Sequence, residues 1–261
     1  MRRHLRQLSV GLAAAALLAP LSVTGTAHAK AIPGPVNAGN TYKWGPIRHR
    51  YEFETARLER YWHQSGPGQV RNQHGMLTLN TRTHGTLSAT LGRKGHPFGR
   101  WETRIRGRRF TTGHAPYRIS VDLVPAGRRA QHCGARHIGI TSYQPNQSGP
   151  ATWVTRRPPN RQATFSKQMS FGTDEWHTFG VEVTRHRIAW FVDARAVSVQ
   201  HVRRPSKVPL TVRFTMVPVG SGSHDASRMQ MDWLRYWTLK RPDAKPVRGP
   251  APTPSTYAGA C

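Results

Sequence analysis

Two short segments hold the side chains best suited to proton chemistry: YRISVDLV, residues 117–124, and HIGITSY, residues 137–143. Read as a strand, the second alternates, with His137, Gly139 and Thr141 on one side and Ile138 and Ile140 on the other. The apolar side suits a core. The polar side offers an imidazole, bare backbone and a hydroxyl, with no carboxylate. In the first segment Asp122 shares a face with Arg118 and Ser120. If these strands are neighbours, Asp122 and His137 are the acid–base pair the residue types allow, imidazole being able to shuttle protons near neutral pH. A surface Asp–Arg pair is the alternative fate of that carboxylate.

His132, Cys133 and His137 are of zinc-ligating types. No C-x-x-C or H-x-x-x-H partner set accompanies them, so neither a metal nor another cofactor is expected. The chain also lacks a Gly-rich phosphate loop, a G-x-S-x-G elbow and a recognisable nucleic-acid module.

Strands must position these groups. From Tyr51 onward, short β-type runs are separated by Gly, Pro, Asn and His-Gly turn signals. The clearest span 76–80, 86–91, 100–108, 117–124, 136–143, 176–184, 187–193, 196–202, 209–217 and 231–239. No segment sustains a 3.6-residue apolar period over three turns. Ten or more antiparallel strands in one domain predict an all-β sandwich or jelly roll.

The chain carries 39 Lys and Arg against 12 Asp and Glu, a formal charge of +27. Such a charge speaks to partners and solubility rather than to fold. It fits an arginine-rich solvated surface or an extracellular polyanion as partner. Residues 1–29 have the marks of a signal peptide: Arg2, Arg3 and Arg6, an apolar run from Leu8 to Val23 broken by Pro20, and Ala27-His28-Ala29 as an A-x-A site. That run is too short and alanine-rich for a membrane span, and no second one follows. The mature chain, near +24 without the three leader arginines, is therefore expected to be secreted, extracellular or cell-wall associated. Cys133 and Cys261 both fall in the exported part, where a disulfide between them is permitted; a free or intermolecular thiol is the alternative. Residues 30–50 look like an irregular lead-in, 51–240 like the domain, and the Pro-rich 241–261 like a flexible tail.

Three pieces, in order, resemble glycoside hydrolase family 16, the laminarinase-like jelly rolls of concanavalin A-like lectin/glucanase architecture. FGRWETRIR (98–106) is similar to the family's Y-G-R-F-E-A-R-I-K strand. WHTFGVEVTRHRIAWFVDARAV (176–197) is similar to its W-H-T-Y-x-V-E-W-T-x-x-x-I-x-W-Y-V-D-G hairpin, and MDWLRYW (231–237) to its closing D-Y-V-R-V-W strand. Together they imply likeness over roughly residues 45–240. The resemblance implies a catalytic strand of the form E-x-D-x-E or E-x-D-x-x-E, matched by HIGITS (137–142). His137 then stands at the nucleophile position, Gly139 at the assisting Asp, and Thr141 or Ser142 at the acid/base. All three carboxylates are absent, whereas a retaining glycosidase needs two carboxyl groups about 5–5.5 Å apart.

The same comparison leaves Tyr117, Tyr143 and Trp153 as candidate sugar platforms, with ordinary packing as the competing use of each ring. On residues 99–109, Arg100, Glu102, Arg104, Arg106 and Arg108 share one face, and Trp101, Thr103 and Ile105 the other. Arg100, Arg104 and Arg118 are candidate ligand contacts. Arg128, Arg129, Arg136, Arg156, Arg157 and Arg161 come from segments expected to flank the 137–143 strand, where guanidinium forks suit phosphate and carboxylate. Three functions stay open. One is a non-catalytic domain binding carbohydrate or an anionic envelope polymer. Another is a glycosidase or transglycosylase acting on β-glucan O-glycosyl bonds through other residues. The third is a non-specific polyanion binder, nucleic acid included.

Overall fold

All ten segments expected as strands are strands, and their alternation decides what lies inside. The computed structural model describes residues 36–54, 57–127, 136–203 and 206–258. Sheet I runs in the order β13 (Arg195–His201), β12 (Arg187–Val192), β11 (His177–Val183), β6 (Gly99–Arg109), β15 (Ser227–Trp237), β4 (Leu77–Asn80) and β3 (Gln69–Asn72). A further strand, β1 (His49–Glu52), also pairs with β15. Sheet II runs β16 (Thr253–Thr256), β10 (Arg161–Phe171), β9 (Gln147–Arg157), β8 (His137–Tyr143), β7 (Tyr117–Pro125), β14 (Leu210–Pro218), β5 (Leu87–Leu91) and β2 (Trp62–Ser65). Every pairing between these strands is antiparallel, giving the expected two-sheet jelly-roll sandwich.

The inward side chains make one core. Trp101 and Ile105 of β6, Phe179 and Val181 of β11, and Ile119 and Val121 of β7 are buried in it. Burying each such side chain stabilises the fold by about 1.5–3 kcal/mol. On β6 the alternation holds as expected, and its even-numbered side chains face outward from sheet I. There Arg100 lies opposite Glu182, and Glu102 opposite Arg235.

A second apolar cluster covers part of that outer face. Ala189 and Phe191 of β12, Val199 of β13 and Trp237 of β15 point away from the main core and need a cover. The segment before β1 supplies part of it. Asn37 caps a single helical turn, α1 (Ala38–Thr41), by accepting from the Asn40 amide at 2.8 Å. Behind α1, the Trp44 ring packs edge-on against Phe191 and Trp237, at 5.4 and 5.2 Å between centroids. Gly39 lets α1 itself lie against that indole, since a Cβ there would fall 2.7 Å from the Trp237 ring. The carboxylate of Glu102 accepts from the Ala38 and Gly39 amides.

The Pro-rich segment supplies the rest and corrects the expectation of a flexible tail. Val247 is buried in this second cluster. Ser198 Oγ and the Val199 amide both donate to the Pro250 carbonyl, at 2.8 and 3.1 Å. Residues 253–256 then extend sheet II by pairing with β10. Proline-rich composition looks like a linker, yet an uncovered apolar face gives such a segment somewhere to dock. The expected signal peptide, Cys133 and Cys261, Arg128 and Arg129, and His132 lie outside the described residues. No helix among the described residues is long and apolar enough to cross a membrane.

Burial pushes the Glu102 carboxyl up to about 7, against the opposing pull of the two amides. The folded chain therefore binds this proton more tightly than the unfolded one. The associated stability is complete below the ordinary carboxylate range and is lost as pH rises toward 7. Chemical denaturation between about pH 4.5 and 7 is expected to show stability falling with pH by up to about 3 kcal/mol from this group. Glu102→Gln should flatten that slope; an unchanged slope would mean the carboxyl is ionised throughout.

Candidate functional site

A bulge in β8 decides which of its side chains reach solvent. Across to β7, Val121 pairs with Thr141 while Asp122 pairs with Gly139, so Ile140 is the extra residue. The simple alternation of 137, 139 and 141 therefore fails after Gly139. Ile140 and Thr141 are both fully buried, and Thr141 Oγ1 has no hydrogen-bond partner among the described residues. Ser142 takes the outward position instead, opposite Ser120 and Thr152. His137, Gly139 and Ser142 are the outward trio. This spacing matches the E-x-D-x-x-E form, and of the two expected acid/base candidates Ser142 faces outward while Thr141 is buried.

Gly139 has no unusual backbone torsion that would require glycine. A Cβ there would sit 3.1 Å from Val154 Cγ1, a contact that a small shift of one methyl relieves. The Gly139 carbonyl is held by the buried Trp190 indole, which donates to it at 2.8 Å.

Around this trio, the outward face of sheet II is a carpet of hydroxyls. Ser65 of β2 pairs with Ser88 of β5, which pairs with Thr215 of β14 and through it with Ser120 of β7. The row continues through Ser142 and Thr152 to Ser166 of β10. Seven strands at about 4.8 Å spacing make a row roughly 29 Å long. Thr152 and Ser166 hydroxyls lie 3.1 Å apart. Thr215 Oγ1 is buried and has no partner among the described residues. Sequence reasoning passed over Ser65, Ser88, Thr215, Thr152 and Ser166; the available signal was a Ser or Thr at an outward position of each strand.

Two residues along each strand, or three across the bulge of β8, lies a second row, His63, Thr90, Arg213, Asp122 and Gly139. Asp122 is largely buried, accepts from Ser120 Oγ at 3.2 Å and lies 3.9 Å from Arg213 Nη2. It is the sole carboxylate on any strand of sheet II. Arg118 is exposed on the same face, as the alternation predicted. Asp122 and His137 lie on neighbouring strands and share this face. The described side-chain contacts of Asp122 are with Ser120 and Arg213, so the carboxylate stands in an Asp–Arg pair.

Several other candidates belong to the scaffold. Tyr117 is fully buried and its hydroxyl donates to the Gly85 carbonyl at 3.1 Å. Tyr143 stacks on Phe171 at 4.1 Å inside the core, where burial pushes its phenol up. Trp153 is 0% exposed and packs against Phe165. All three rings point inward, so none is a sugar platform. Arg100 is buried, donating to Glu182 at 2.7 Å and to Asp243 at 3.2 Å. Arg104 pairs with Asp232 at 2.9 Å and lies over Trp176. Both stand on sheet I, whereas β8 belongs to sheet II, so the arginine row of β6 is not part of the β8 face.

Arg136, Arg156, Arg157 and Arg161 do gather beside His137. They line a cavity of about 650 Å³ together with Arg203 and His201. Its walls come from the first residues of β8, β10, β12 and β14 and from the ends of β9, β11 and β13, which places it at one end of the sandwich. Its apolar lining includes Ile138, Val183, Ile188 and Leu210, contributed by both sheets. No carboxylate lines it.

The sequence matches no protein-family model and no curated protein. The fold is matched by solved structures. An endo-beta-1,3-glucanase from Pyrococcus furiosus superposes with a TM-score of 0.61 at 14% identity, over 74% of this chain and 94% of the other. SCLam, a non-specific endo-beta-1,3(4)-glucanase from family GH16, gives 0.59 at 13% identity, over 75% and 91%. The laminarinase from Rhodothermus marinus gives 0.54 at 15% identity, over 74% and 96%. The chain thus has the jelly-roll fold of the family 16 glycoside hydrolases.

Core and platform roles for Trp153 separate by experiment. Trp153→Ala is expected to cost about 3–5 kcal/mol in denaturant unfolding, as for a large ring removed from a packed core. An exposed sugar platform would leave stability nearly unchanged and alter only ligand affinity.

Proposed function

We propose that the chain is an exported, non-hydrolytic glycan-binding domain on the jelly-roll hydrolase fold, and that its ligand is an anionic polymer of the cell envelope. The observation that carries this reading is the outward face of β8. Its three positions hold His137, Gly139 and Ser142, and the whole sheet offers one carboxylate, Asp122. Retaining hydrolysis needs one carboxylate to attack the anomeric carbon and a second to donate and recover a proton. An imidazole and a hydroxyl do not replace that pair. The hydroxyl row does suit binding, because its donors and acceptors match the hydroxyls of a glycan lying across the strands. The excess of arginine, and its concentration at the cavity beside His137, support an anionic ligand.

One observation favours a second reading, an active glycosidase or transglycosylase with non-standard residues. Asp122 lies opposite Gly139 on the face shared by His137 and Ser142. Its contact with Arg213 suits a fixed ion pair better than a proton donor.

Purified mature protein is expected to release no reducing sugar from β-1,3- or mixed-linked glucans, and Asp122→Asn should change nothing. Turnover that disappears in Asp122→Asn would establish the second reading. In parallel, isolated cell walls should pull the protein down at low salt and lose it once their anionic polymers are stripped. Retention on stripped walls at high salt would make the ligand a neutral glycan.

A further inference from the structure

The arginines of this chain differ in whether a carboxylate neutralises them. Many of those on sheet I and its margins are matched: Arg100 and Arg187 with Glu182 and Asp243, Arg104 with Asp232, Arg108 and Arg228 with Asp174, Arg109 with Asp225, and Arg235 with Glu52. At the sandwich-end cavity they are not. Arg136, Arg156, Arg157, Arg161 and Arg203 form no ion pair among the described residues. All twelve carboxylates of the chain are described, and none lines this cavity.

Two of the five are held in place without being neutralised. Arg136 Nη1 donates to Ser206 Oγ at 2.8 Å, and Arg156 Nε donates to Gln162 Oε1 at 2.6 Å. Neutral acceptors orient a guanidinium but leave its charge. Arg157, Arg161 and Arg203 stand exposed at the rim. Five like charges around one cavity repel, and a ligand carrying several anionic groups relieves that repulsion.

Resting on the anionic-polymer reading above, we propose that this cavity is its principal binding site and seats the end of a glycan chain bearing repeated phosphate or carboxylate groups. Both anions fit the planar guanidinium fork in bidentate fashion. About 650 Å³ is ample for a saccharide unit, and pockets of this size are usual for small ligands. Below the rim, the Thr155 hydroxyl donates to Gln200 at 2.9 Å, giving a polar patch among Ile138, Val183 and Ile188 for a sugar's mixed surface. Single-stranded nucleic acid would bring anions too, but its binding relies on aromatic rings that stack on bases. Among the described residues no Phe, Tyr or Trp lines the cavity; one ring, Tyr257, lies against its Arg156, 5.1 Å from the guanidinium.

The test uses the full mature chain and four defined probes: poly(glycerol phosphate), polygalacturonate, neutral laminarin and a single-stranded DNA oligomer of matched charge. Binding is measured by fluorescence titration at low and high salt. The double variant Arg157→Ser/Arg161→Ser removes two exposed rim charges. Arg71→Ser/Arg82→Ser removes two charges outside the cavity. Melting temperatures without ligand should agree among all three proteins.

Wild type is expected to bind one or both anionic glycans in a salt-sensitive manner, the stronger arm naming phosphate or carboxylate as the preferred group. The rim variant should bind about tenfold more weakly, and the control variant should match wild type. Equal weakening by both variants would overturn the cavity as the site while leaving the anionic-polymer reading intact. DNA binding as tight as that of the glycans would overturn the glycan assignment. Failure of the wild type to bind either anionic glycan would overturn the anionic-polymer reading itself.

Discussion

The outer face of sheet I depends on a four-membered ion network. Glu182 is fully buried and accepts from Arg100 at 2.7 Å and from Arg187 at 2.8 Å. Asp243 takes the other ends of the same two guanidiniums, and Trp44 donates to it at 2.8 Å. Two carboxylates against two guanidiniums make a locally neutral cluster, and neutrality permits its burial. Removing one member would strand a buried charge, a loss of about 3–5 kcal/mol. Through this cluster β6, β11 and β12 are joined to the segment after β15 and to Trp44 from the N-terminal side. Residues 38–44 and Val247 therefore pack over the second apolar cluster instead of leaving Phe191 and Trp237 bare.

That arrangement consumes a scarce resource. With 12 carboxylates for 39 lysines and arginines, most basic groups have no acidic neighbour available. The carboxylates go chiefly to sheet I and its margins, where buried or half-buried guanidiniums require them. Sheet II receives Asp122 alone. Its outward face is consequently hydroxylated near the centre and cationic at the end beside His137. The division follows from electrostatics: a buried arginine must be neutralised by the protein, whereas an exposed one can be left to water or to a ligand.

Much of this was legible in the sequence. Period-two alternation in RWETRIRGR and WHTFGVEVT is carried by large apolar residues, so those strands and their inner faces stood out. The long strands β9 and β10 were passed over because their inward positions include Ala151, Thr155 and Ala163, which barely contrast with outward Thr152, Thr164 and Ser166. Arg100 and Arg104 were placed on the correct face of their own strand. The sheet to which that strand belongs is a long-range fact that local alternation does not encode. Tyr117, Tyr143 and Trp153 show the same limit, since an aromatic residue on a strand looks alike whether its side chain points in or out. The bulge at Ile140 was likewise hidden. It depends on how β8 pairs with both neighbours, and it exchanges Thr141 for Ser142 at the surface.

The bulge also separates geometry from chemistry. The backbone of β8 presents its 137, 139 and 142 side chains on one face with the spacing of the catalytic E-x-D-x-x-E pattern. Nothing in that backbone forbids the acids, because Gly139 has ordinary torsions and a Cβ there needs only Val154 to yield slightly. The strand is kept in shape from behind, by Ile138, Ile140 and Tyr143 in the core and by the Trp190 indole on the Gly139 carbonyl. These supports act on the inward side chains and the backbone, so they hold whatever the outward side chains are. A jelly roll built in this way can change the side chains of its outward face without loss of packing. For that reason the fold alone does not carry an activity; what such a domain can do is set by the side chains it presents.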